Sequence, residues 1–540
     1  DPGGSVNFVT KTPKFERFGE IYGQVGSHDQ KELGFDFGDT LNPEGTLAYR
    51  LTGKVQDSAL EYDHSRNDDA FLMGGLSWAP TDDTTVTVTF DHLKRDATPN
   101  SGGYPIDREY DRSDFFGEPD FNDHDVKRDT LSAMVRHDFS GGLSVSGNLR
   151  YTDLKNEFAY VYINDSATRV GTVVPRSYFG SDTSVEEVIG NAILQYDTGF
   201  GTTDSSTLLG FEFRDVKIST VSYFERNFLP IDVASPIYTG GPASPVVSGS
   251  SDKDYNSKSL FVQQNLSFAD RLITTVGVRH DWLDLADSGI SGSTAFANSE
   301  DFSETSVRAA LTYKVTDEVS AYVSYAESVA PPTIGVEPQR GDQYELGVKY
   351  QPEGMRAFLS AAVFDLSKQN FTTRVVLNSG GLGDQLIKDA RVRGFELEGK
   401  AEFANNWDVI ASYAYLDSEI AEADPVDGQG VDGNAFGTVP SHMASLWVSR
   451  IVPAAENRGE MTFGLGARYT GSYYFGLQNT GSKSEATTLF DAAFTYEVAE
   501  NTGLALNVSN LFDEQHVVGR GTADFYNPGR TITATLRRTW

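Results

Sequence analysis

The 540-residue chain has no cysteine, only five methionines and 20 prolines, and no long apolar run. Without cysteine it can form no disulfide bond, thiolate metal site or cysteine nucleophile. No segment approaches the roughly 18 consecutive apolar residues of a membrane-spanning helix. A search for long apolar runs does not detect a transmembrane β-barrel, because its strands alternate apolar and polar residues. The acidic excess, 77 Asp and Glu against 44 Lys and Arg, disfavours nucleic acid as a partner because phosphates are repelled.

Sequence signals of catalysis and of resident metals are also lacking. No G-x-S-x-G or phosphate-binding glycine motif stands in front of a helix, so we predict that the chain is not an enzyme. Asp424, Asp427 and Asp432 lie in an acidic stretch that lacks the ligand order of a calcium loop. His124 is a single histidine among flexible carboxylates, which is a weak metal signal. We therefore predict no bound metal and no intrinsic cofactor.

The feature that the chain does have is alternation with a period of two. In the stretch TVTVTF, Val86, Val88 and Phe90 alternate with threonines. In LSVSGNLRY, residues 143–151, the odd positions carry mostly apolar side chains and the even positions carry Ser, Ser, Asn and Arg. Successive side chains of a strand point to opposite faces, so each segment has one apolar and one polar face. We find no convincing helix of three turns.

Two kinds of separator alternate between these segments. Short turns such as 42–45 and 80–83 are followed by long polar loops. The largest of these loops lie near 96–125, 225–256, 284–302 and 420–437. Counting between separators predicts about 22 strands, eleven long loops and ten short turns. Short turns at one end and long loops at the other are typical of an outer-membrane barrel. The alternative is a soluble β-propeller, which would repeat a residue motif every 40–50 residues or so.

We therefore predict an all-β fold, a transmembrane antiparallel β-barrel of about 22 strands with short periplasmic turns and long extracellular loops. An even number of strands places both termini in the periplasm. The terminal Trp540 shares the apolar face of its strand with Ile532, Ala534 and Leu536, which suits an interfacial aromatic girdle. Barrels of 22 strands are plugged transporters, whereas open porins have 16 to 18.

Several segments resemble the TonB-dependent outer-membrane receptors, and within them the ferric-siderophore branch. LALNVSNLFDEQH, 504–516, and FYNPGRTITATLRRTW, 525–540, resemble the C-terminal signature of that family. SYAESVAPP, 324–332, and DQYELGVKY, 342–350, resemble its mid-barrel segment. The resemblance implies a monomeric receptor in the outer membrane of a Gram-negative bacterium, set in lipid and lipopolysaccharide. Its ligand would be a ferric siderophore that carries the iron, and TonB would energise uptake.

The first residues resemble a different part of the same family. PGGSVNFVTKTPK, 2–14, is similar to the last strand of the plug domain that fills such barrels. We therefore divide the chain into a C-terminal remnant of the plug, 1–14, and the barrel, 15–540, whose first strand we expect at Arg17–Gly26. Because 1–14 lack their sheet partners, we expect them to be poorly ordered or loosely held in the lumen.

Three other functions stay open at this point. If the chain is complete, a barrel without a plug would be a passive pore. The ligand could instead be haem, cobalamin or an oligosaccharide, which are also large. The acidic loops could also serve as a surface for adhesion or phage docking.

Candidate binding residues follow from the nature of the ligand. A ferric chelate already satisfies its iron, so a receptor needs rigid contact area, which aromatic side chains supply. If the strand from 143 continues without a bulge, its even positions face the lumen up to the outer end, and the third loop lies close by. The resemblance implies that aromatic residues of this region line the ligand cavity, with girdle or loop packing as the alternative. The predicted ligand-binding residues are Tyr160, Tyr162, Tyr104, Tyr110, Phe115 and Phe116.

Overall fold

The regular structure of the protein is all β-strand in the computed structural model, which describes residues 4, 6–166, 168–332, 334–376, 382–404 and 406–540. No helix in those ranges has the length and the apolar composition that a membrane span requires. The strands are β1 Phe18–Gly26, β2 Lys31–Thr40, β3 Leu47–Asp57, β4 Asn67–Thr81, β5 Thr84–Ala97, β6 Asp123–Asp138, β7 Leu143–Ile163, β8 Val173–Phe200, β9 Thr203–Asp232, β10 Val247–Phe268, β11 Leu272–Ser291, β12 Thr294–Lys314, β13 Val319–Ala330, β14 Gln339–Tyr350, β15 Ala357–Val376, β16 Leu382–Phe403, β17 Trp407–Ala423, β18 His442–Val452, β19 Met461–Thr470, β20 Tyr473–Tyr474, β21 Lys483–Ser484, β22 Thr487–Ala499, β23 Thr502–Ser509, β24 Val517–Arg520, β25 Asp524–Tyr526 and β26 Thr531–Thr539.

One closed sheet contains nearly all of these strands. Twenty-two of them pair antiparallel with their neighbours in chain order, and β1 pairs with β26, so that the sheet has no edge. The short strands β20, β21, β24 and β25 form two small ribbons in loops. The predicted barrel and its strand number are confirmed, and the propeller alternative is wrong because the strands form one sheet rather than separate blades.

Turns and loops are segregated to opposite ends of the barrel, as predicted. Residues 82–83 and 201–202 are tight turns at the end where both termini lie, and 98–122 and 424–441 are long loops at the other end. The loop predicted near 284–302 is instead a continuous hairpin, because β11 and β12 stay paired up to Ser291 and Thr294. The mostly polar sequence of 284–302 does not indicate strands, since a hairpin that extends into solvent can be held together by its backbone hydrogen bonds.

The outward face of the barrel is an apolar belt. Leu72, Leu76, Val88 and Phe90 alternate with inward-facing residues, and all four are exposed. The end of the chain follows the same rule, because Ile532, Leu536 and Trp540 are exposed together on one side of β26. Large apolar side chains facing outward around a closed sheet are what a lipid environment favours.

Glycines in the strands make room for aromatic rings on neighbouring strands. The Phe261 ring lies over Gly210, where an added Cβ would be 2.0 Å from the ring. Tyr322 covers Gly347 in the same way, and Tyr22 covers Gly34, with Cβ-to-ring distances of 2.4 and 2.3 Å. The high contents of glycine and of aromatic residues are therefore related, since these rings fill the space next to glycines that have no side chain.

Replacement of Gly210 by alanine should lower the stability of the barrel, because the Phe261 ring must leave its place. We expect a loss of about 1–3 kcal/mol, as for other overpacked sites. The measurement is the temperature at which the barrel loses its folded mobility on a semi-native gel. Gly503→Ala is the control, since nothing lies within 4 Å of the added Cβ. Equal melting of the two variants would contradict the packing argument.

The segment before β1 is held to the lumen wall at one point. Arg50 donates from Nε to Oδ1 of Asp36 at 2.8 Å and from Nη1 to the backbone oxygen of Thr12 at 2.9 Å. Lys11 Nζ donates to the same carboxylate at 3.1 Å. Pro13, the next residue after Thr12, is buried. We call these contacts the N-terminal clamp.

Residues before the clamp have few contacts. Val6, Phe8 and Val9 are exposed and lie in no strand, whereas 1–3 and 5 fall outside the described residues. The structure thus places 6–10 outside the sheet and 11–13 against the wall, and the loose attachment expected for 1–14 stays a prediction. The first barrel strand begins at Phe18, one residue later than expected.

Loss of the clamp should free the leading segment. A spin label can be placed at Thr10→Cys alone, because the chain has no other cysteine. Combining that label with Arg50→Met should sharpen its spectrum, since the variant removes both the hydrogen bond to Thr12 and the pair with Asp36. Arg214→Met, which breaks a lumen pair with Glu187 instead, should leave the spectrum unchanged. An immobile label in Arg50→Met would show that the clamp does not hold the segment.

Candidate functional site

Three strands rise far beyond the membrane and form a wall above it. β8 and β9 have 28 and 30 residues, whereas about 9–11 residues cross a bilayer. β7 pairs with β8 from Leu143 to Ile163 without a register shift. Because Leu149 and Tyr151 are exposed on the outward face, the even positions of β7 face the lumen up to its outer end.

An aromatic surface covers the lumen face of this wall. The rings of Tyr160 and Tyr162 stack with centroids 4.7 Å apart, and Phe158 lies 5.0 Å from Tyr160. Phe179 on β8 is the direct cross-strand partner of Tyr160, and Phe224 on β9 is the partner of Phe179. We call Phe158, Tyr160, Tyr162, Phe179 and Phe224 the aromatic platform. Tyr160 and Tyr162 are half-buried, so each keeps surface available to a ligand.

Neighbouring groups fix the platform from both sides. His124 on β6 packs edge-on against Phe158 at 5.4 Å, and its Nε2 hydrogen-bonds Asn156 at 2.9 Å. Gly102 of the third loop comes so close that a Cβ there would lie 2.6 Å from that of Tyr162. Its φ of +69° is also one that a residue with a side chain rarely adopts. The backbone of the third loop, residues 98–122, therefore packs directly against the platform at Gly102.

The other four predicted residues lie inside the third loop and are buried. Tyr104, Tyr110 and Phe116 belong to a hydrophobic cluster with strand ends of β7, β8 and β9, and Phe115 is buried beside them. Tyr104 stacks on Tyr526 of the last loop, residues 510–530 between β23 and β26, with centroids 4.7 Å apart. The structure thus separates the six residues into two on the platform and four that pack the loop. A ligand contact for the buried four stays a prediction.

A buried ion pair ties the third loop to the wall. Arg176 Nη2 donates to Glu118 Oε1 at 2.7 Å, and neither side chain has exposed surface. Arg176 also donates to the backbone oxygens of Phe116, Gly117 and Leu229 at 2.9–3.0 Å. Burial of such a pair is tolerated only when the remaining donors are satisfied, as they are here. Loop and strands are therefore held as one unit.

A second connection runs from the third loop to the last one. Arg112 donates to Asp513 Oδ1 and to the backbone oxygen of Asn527, both at 3.0 Å. Gln515 of the last loop donates to the backbone oxygen of Tyr110 at 2.8 Å. The third loop thus spans from β7–β9 to the loop that precedes β26.

Asp165, in the fourth loop between β7 and β8, also links the loops through charge, because it accepts hydrogen bonds from Arg169 and from the backbone N–H of Ile106. Burial works to raise the pKa of Asp165, but hydrogen bonds from Arg169 and from the backbone N–H groups of Ser166 and Ile106 outweigh it, so its pKa lies below the ordinary value. The carboxylate is charged at neutral pH, and the stability that it adds is lost only as the pH falls through the lowered pKa.

The acidic stretch 424–434 makes its contacts within the protein. Lys388 Nζ lies 2.7 Å from Asp424, and Asp432 accepts a hydrogen bond from the backbone of Ala423 at 2.9 Å. Across the described residues, no group of three or more His, Asp or Glu side chains is placed to hold a metal ion.

Sequence reasoning missed several residues of the site. Phe158 could have been found, because it continues the even face that identified Tyr160. Phe179 and Phe224 join the platform only through the register between strands, which local sequence does not reveal. The pair of Arg176 and Glu118, 58 positions apart, carries no sequence signal that distinguishes it from surface charges.

Comparisons with known proteins define the class. The family model described as TonB dependent receptor-like, beta-barrel matches residues 73–511. The chain therefore belongs to the TonB-dependent receptors, which are outer-membrane receptor-transporters of Gram-negative bacteria and not enzymes. The predictions of family, membrane location and non-enzymatic function are confirmed.

Individual relatives lie within the same class. The chain is 26% identical, over 99% of its length and 76% of the relative, to a ferrichrome outer membrane transporter/phage receptor of Escherichia coli. It is 26% identical to a ferrioxamine B receptor of Salmonella typhimurium, over 99% of the chain and 77% of the relative. The siderophore receptor PiuA of Acinetobacter baumannii has a similar structure, with a TM-score of 0.87 at 20% identity over 98% of this chain and 82% of that one.

Removal of the buried cation should release the third loop. Arg176→Met leaves Glu118 buried without its partner, which costs about 3–5 kcal/mol at comparable sites. We expect faster hydrogen exchange and protease cleavage within 98–122, with the barrel ladder intact. Arg136→Met is the matched control, because it breaks an exposed pair with Asp138. Unchanged exchange in the loop of Arg176→Met would show that the pair is not what holds it.

Proposed function

We propose that this chain is the barrel of a receptor that binds a ferric siderophore at its outer end and imports it with energy from TonB. The observation that carries the proposal is the aromatic platform, which lies on the lumen face above the membrane. Large rigid rings with hydroxyl tips suit a bulky chelate that already satisfies its metal. The names of the relatives from Escherichia coli and Salmonella typhimurium support the same ligand class.

The site would bind by contact area rather than by metal coordination. Stacking on Tyr160 and Tyr162 orders few rotors, so little conformational entropy is lost on binding. The fixed third loop completes the rim of the cavity without having to fold around the ligand. The iron would stay coordinated by its chelator throughout, which agrees with a wall that presents rings and hydroxyls.

We also infer that residues 1–14 are the end of a plug domain that completes the transporter. The N-terminal clamp supports this reading, because it attaches the segment to the inner wall just before β1. In the intact receptor TonB would act on the plug from the periplasm, and the barrel would stay in place around it. The apolar outward belt would meet the lipid and lipopolysaccharide of the outer membrane.

The double variant Tyr160→Ala, Tyr162→Ala tests the site. Aromatic contacts contribute about 0.5–1.5 kcal/mol each beyond their buried area, so we expect affinity for the ferric siderophore to fall about tenfold to a hundredfold. Quenching of intrinsic fluorescence by the bound iron measures it. The control is Tyr151→Ala, in the same strand but on the outward face. An unchanged affinity in the double variant would exclude the platform as the binding surface.

A further inference from the structure

The strands β12 and β13 separate above the membrane. Their ladder ends at the pair of Arg308 and Ala326, although β12 begins as far out as Thr294. β11 stays paired with β12 up to the turn at 292–293. The outer part of this hairpin therefore extends alone. Among the described strands, none pairs with the β13 side of β12 between 294 and 307.

The odd positions of β12 direct their backbone N–H and C=O groups toward this open side. Successive residues of an antiparallel strand form their backbone hydrogen bonds on opposite sides. The N–H of Val307 points to the β13 side, because it donates to Oε2 of Glu327 at 2.9 Å. Farther out, within the described part of the chain, the odd positions have no backbone partner on that side. We call these positions the free edge, and all are exposed: Ala295, Ala297, Ser299, Asp301, Ser303 and Thr305.

The sequence of the hairpin does not protect the free edge against pairing. Natural proteins block exposed edge strands with proline, with lysine or with a β-bulge. Residues 283–307 contain no proline and no lysine, and β11 and β12 pair through this stretch without a register shift. Apart from Asp301, the side chains of the free edge are those of Ala, Ser and Thr. A further strand therefore has room to approach along it.

The neighbouring loop, between β13 and β14, leans into the lumen instead of covering the free edge. The backbone N–H of Gly335 donates to Oε2 of Glu300 at 2.8 Å. Glu300 lies on the lumen face of β12, opposite the buried Leu285. Pro331 and Ile334 of the same loop border a cavity of about 360 Å³ on that face. The contacts of the loop are thus on the inner side of the hairpin.

The hairpin is acidic throughout. Residues 283–307 carry five carboxylates and neither lysine nor arginine. Asp284 and Asp301 stand directly across from each other on the outward face, whereas Glu304 on the lumen face pairs with Arg340 of β14. A strand that adds to the free edge would meet the negative charge of the outward face. Lysine and arginine complement that charge, whereas a second copy of β12 would bring carboxylates against it.

We propose that the free edge is a docking site for an extended, basic segment of another protein, which adds to β12 as a further strand. Backbone hydrogen bonds to the odd positions would supply affinity, and basic side chains beside Asp284 and Asp301 would supply specificity. The site lies on β12 at the extracellular end, apart from the aromatic platform of β7–β9. Its occupation is therefore a function separate from the uptake of a chelate.

A labelled peptide of about ten residues, with lysine and threonine in alternation, is the probe. Fluorescence anisotropy measures its binding to the purified chain in detergent. A peptide with glutamate in place of lysine should bind at least about tenfold more weakly, and added salt should weaken binding of the lysine peptide. If the lysine peptide does not bind, the proposal is wrong.

Methylation of the peptide backbone separates strand addition from simple attraction of charge. The lysine peptide methylated on every backbone nitrogen keeps its charges but has no N–H to donate, so it should not bind. The peptide methylated on alternate nitrogens keeps one bonding side and should still bind. Equal binding of the fully methylated peptide would show that the acidic surface alone attracts it, which contradicts strand addition.

A proline in the free edge tests the same site from the side of the protein. Ser299→Pro removes an N–H that points away from β11, so the hairpin keeps its own ladder. Ser299→Thr is the matched control, because it retains that N–H. The proline variant alone should lose affinity for the lysine peptide, by about tenfold or more, while both variants keep the folded mobility of the barrel on a semi-native gel. Undiminished binding in Ser299→Pro would overturn the proposal. Dimers of the chain that only this variant dissociates would also overturn it, since the occupant would then be a second copy.

Discussion

The closed ladder of backbone hydrogen bonds is the constraint on which the rest of the molecule depends. In hydrocarbon an unpaired amide has no water to bond, so every strand needs two neighbours and β1 must meet β26. Closure forces one face of each strand toward lipid and the other toward the lumen. A ring of 22 strands is also too wide for side chains to fill. A binding surface must therefore be built where strands and loops continue above the membrane.

At the outer end of the barrel, the platform and the third loop are held in place in two different ways. Tyr160 and Tyr162 lie on strands, whose backbone is already fixed by the ladder, so their positions are set without help from the loops. The third loop has no such ladder and instead acquires a core of its own, organised around Arg176 and Glu118. An ion pair suits this role because its directional hydrogen bonds specify one arrangement of loop and wall, where apolar packing alone would allow several.

Local sequence was sufficient for those features that depend on alternation. Strand number, the direction of the termini and the inward orientation of Tyr160 all follow from a period of two and from a strand that has no bulge. Contacts between distant segments were not accessible in the same way. Phe179 joins Tyr160 through inter-strand register, and Tyr104 is drawn into a buried cluster by partners in the last loop. The outer part of the hairpin of β11 and β12 gives no strand signal of its own, because most of its residues are polar.

The N-terminal clamp determines where a mechanical load on the leading segment would stop. Tension along residues 6–10 would pass through Lys11 and Thr12 to Asp36 and Arg50, which lie in β2 and β3. Each of those strands is paired with a neighbour on both sides. Without the clamp, the same tension would act directly on β1 and therefore on the seam where it pairs with β26. The clamp thus lets the barrel act as a rigid frame against which an attached segment can be drawn.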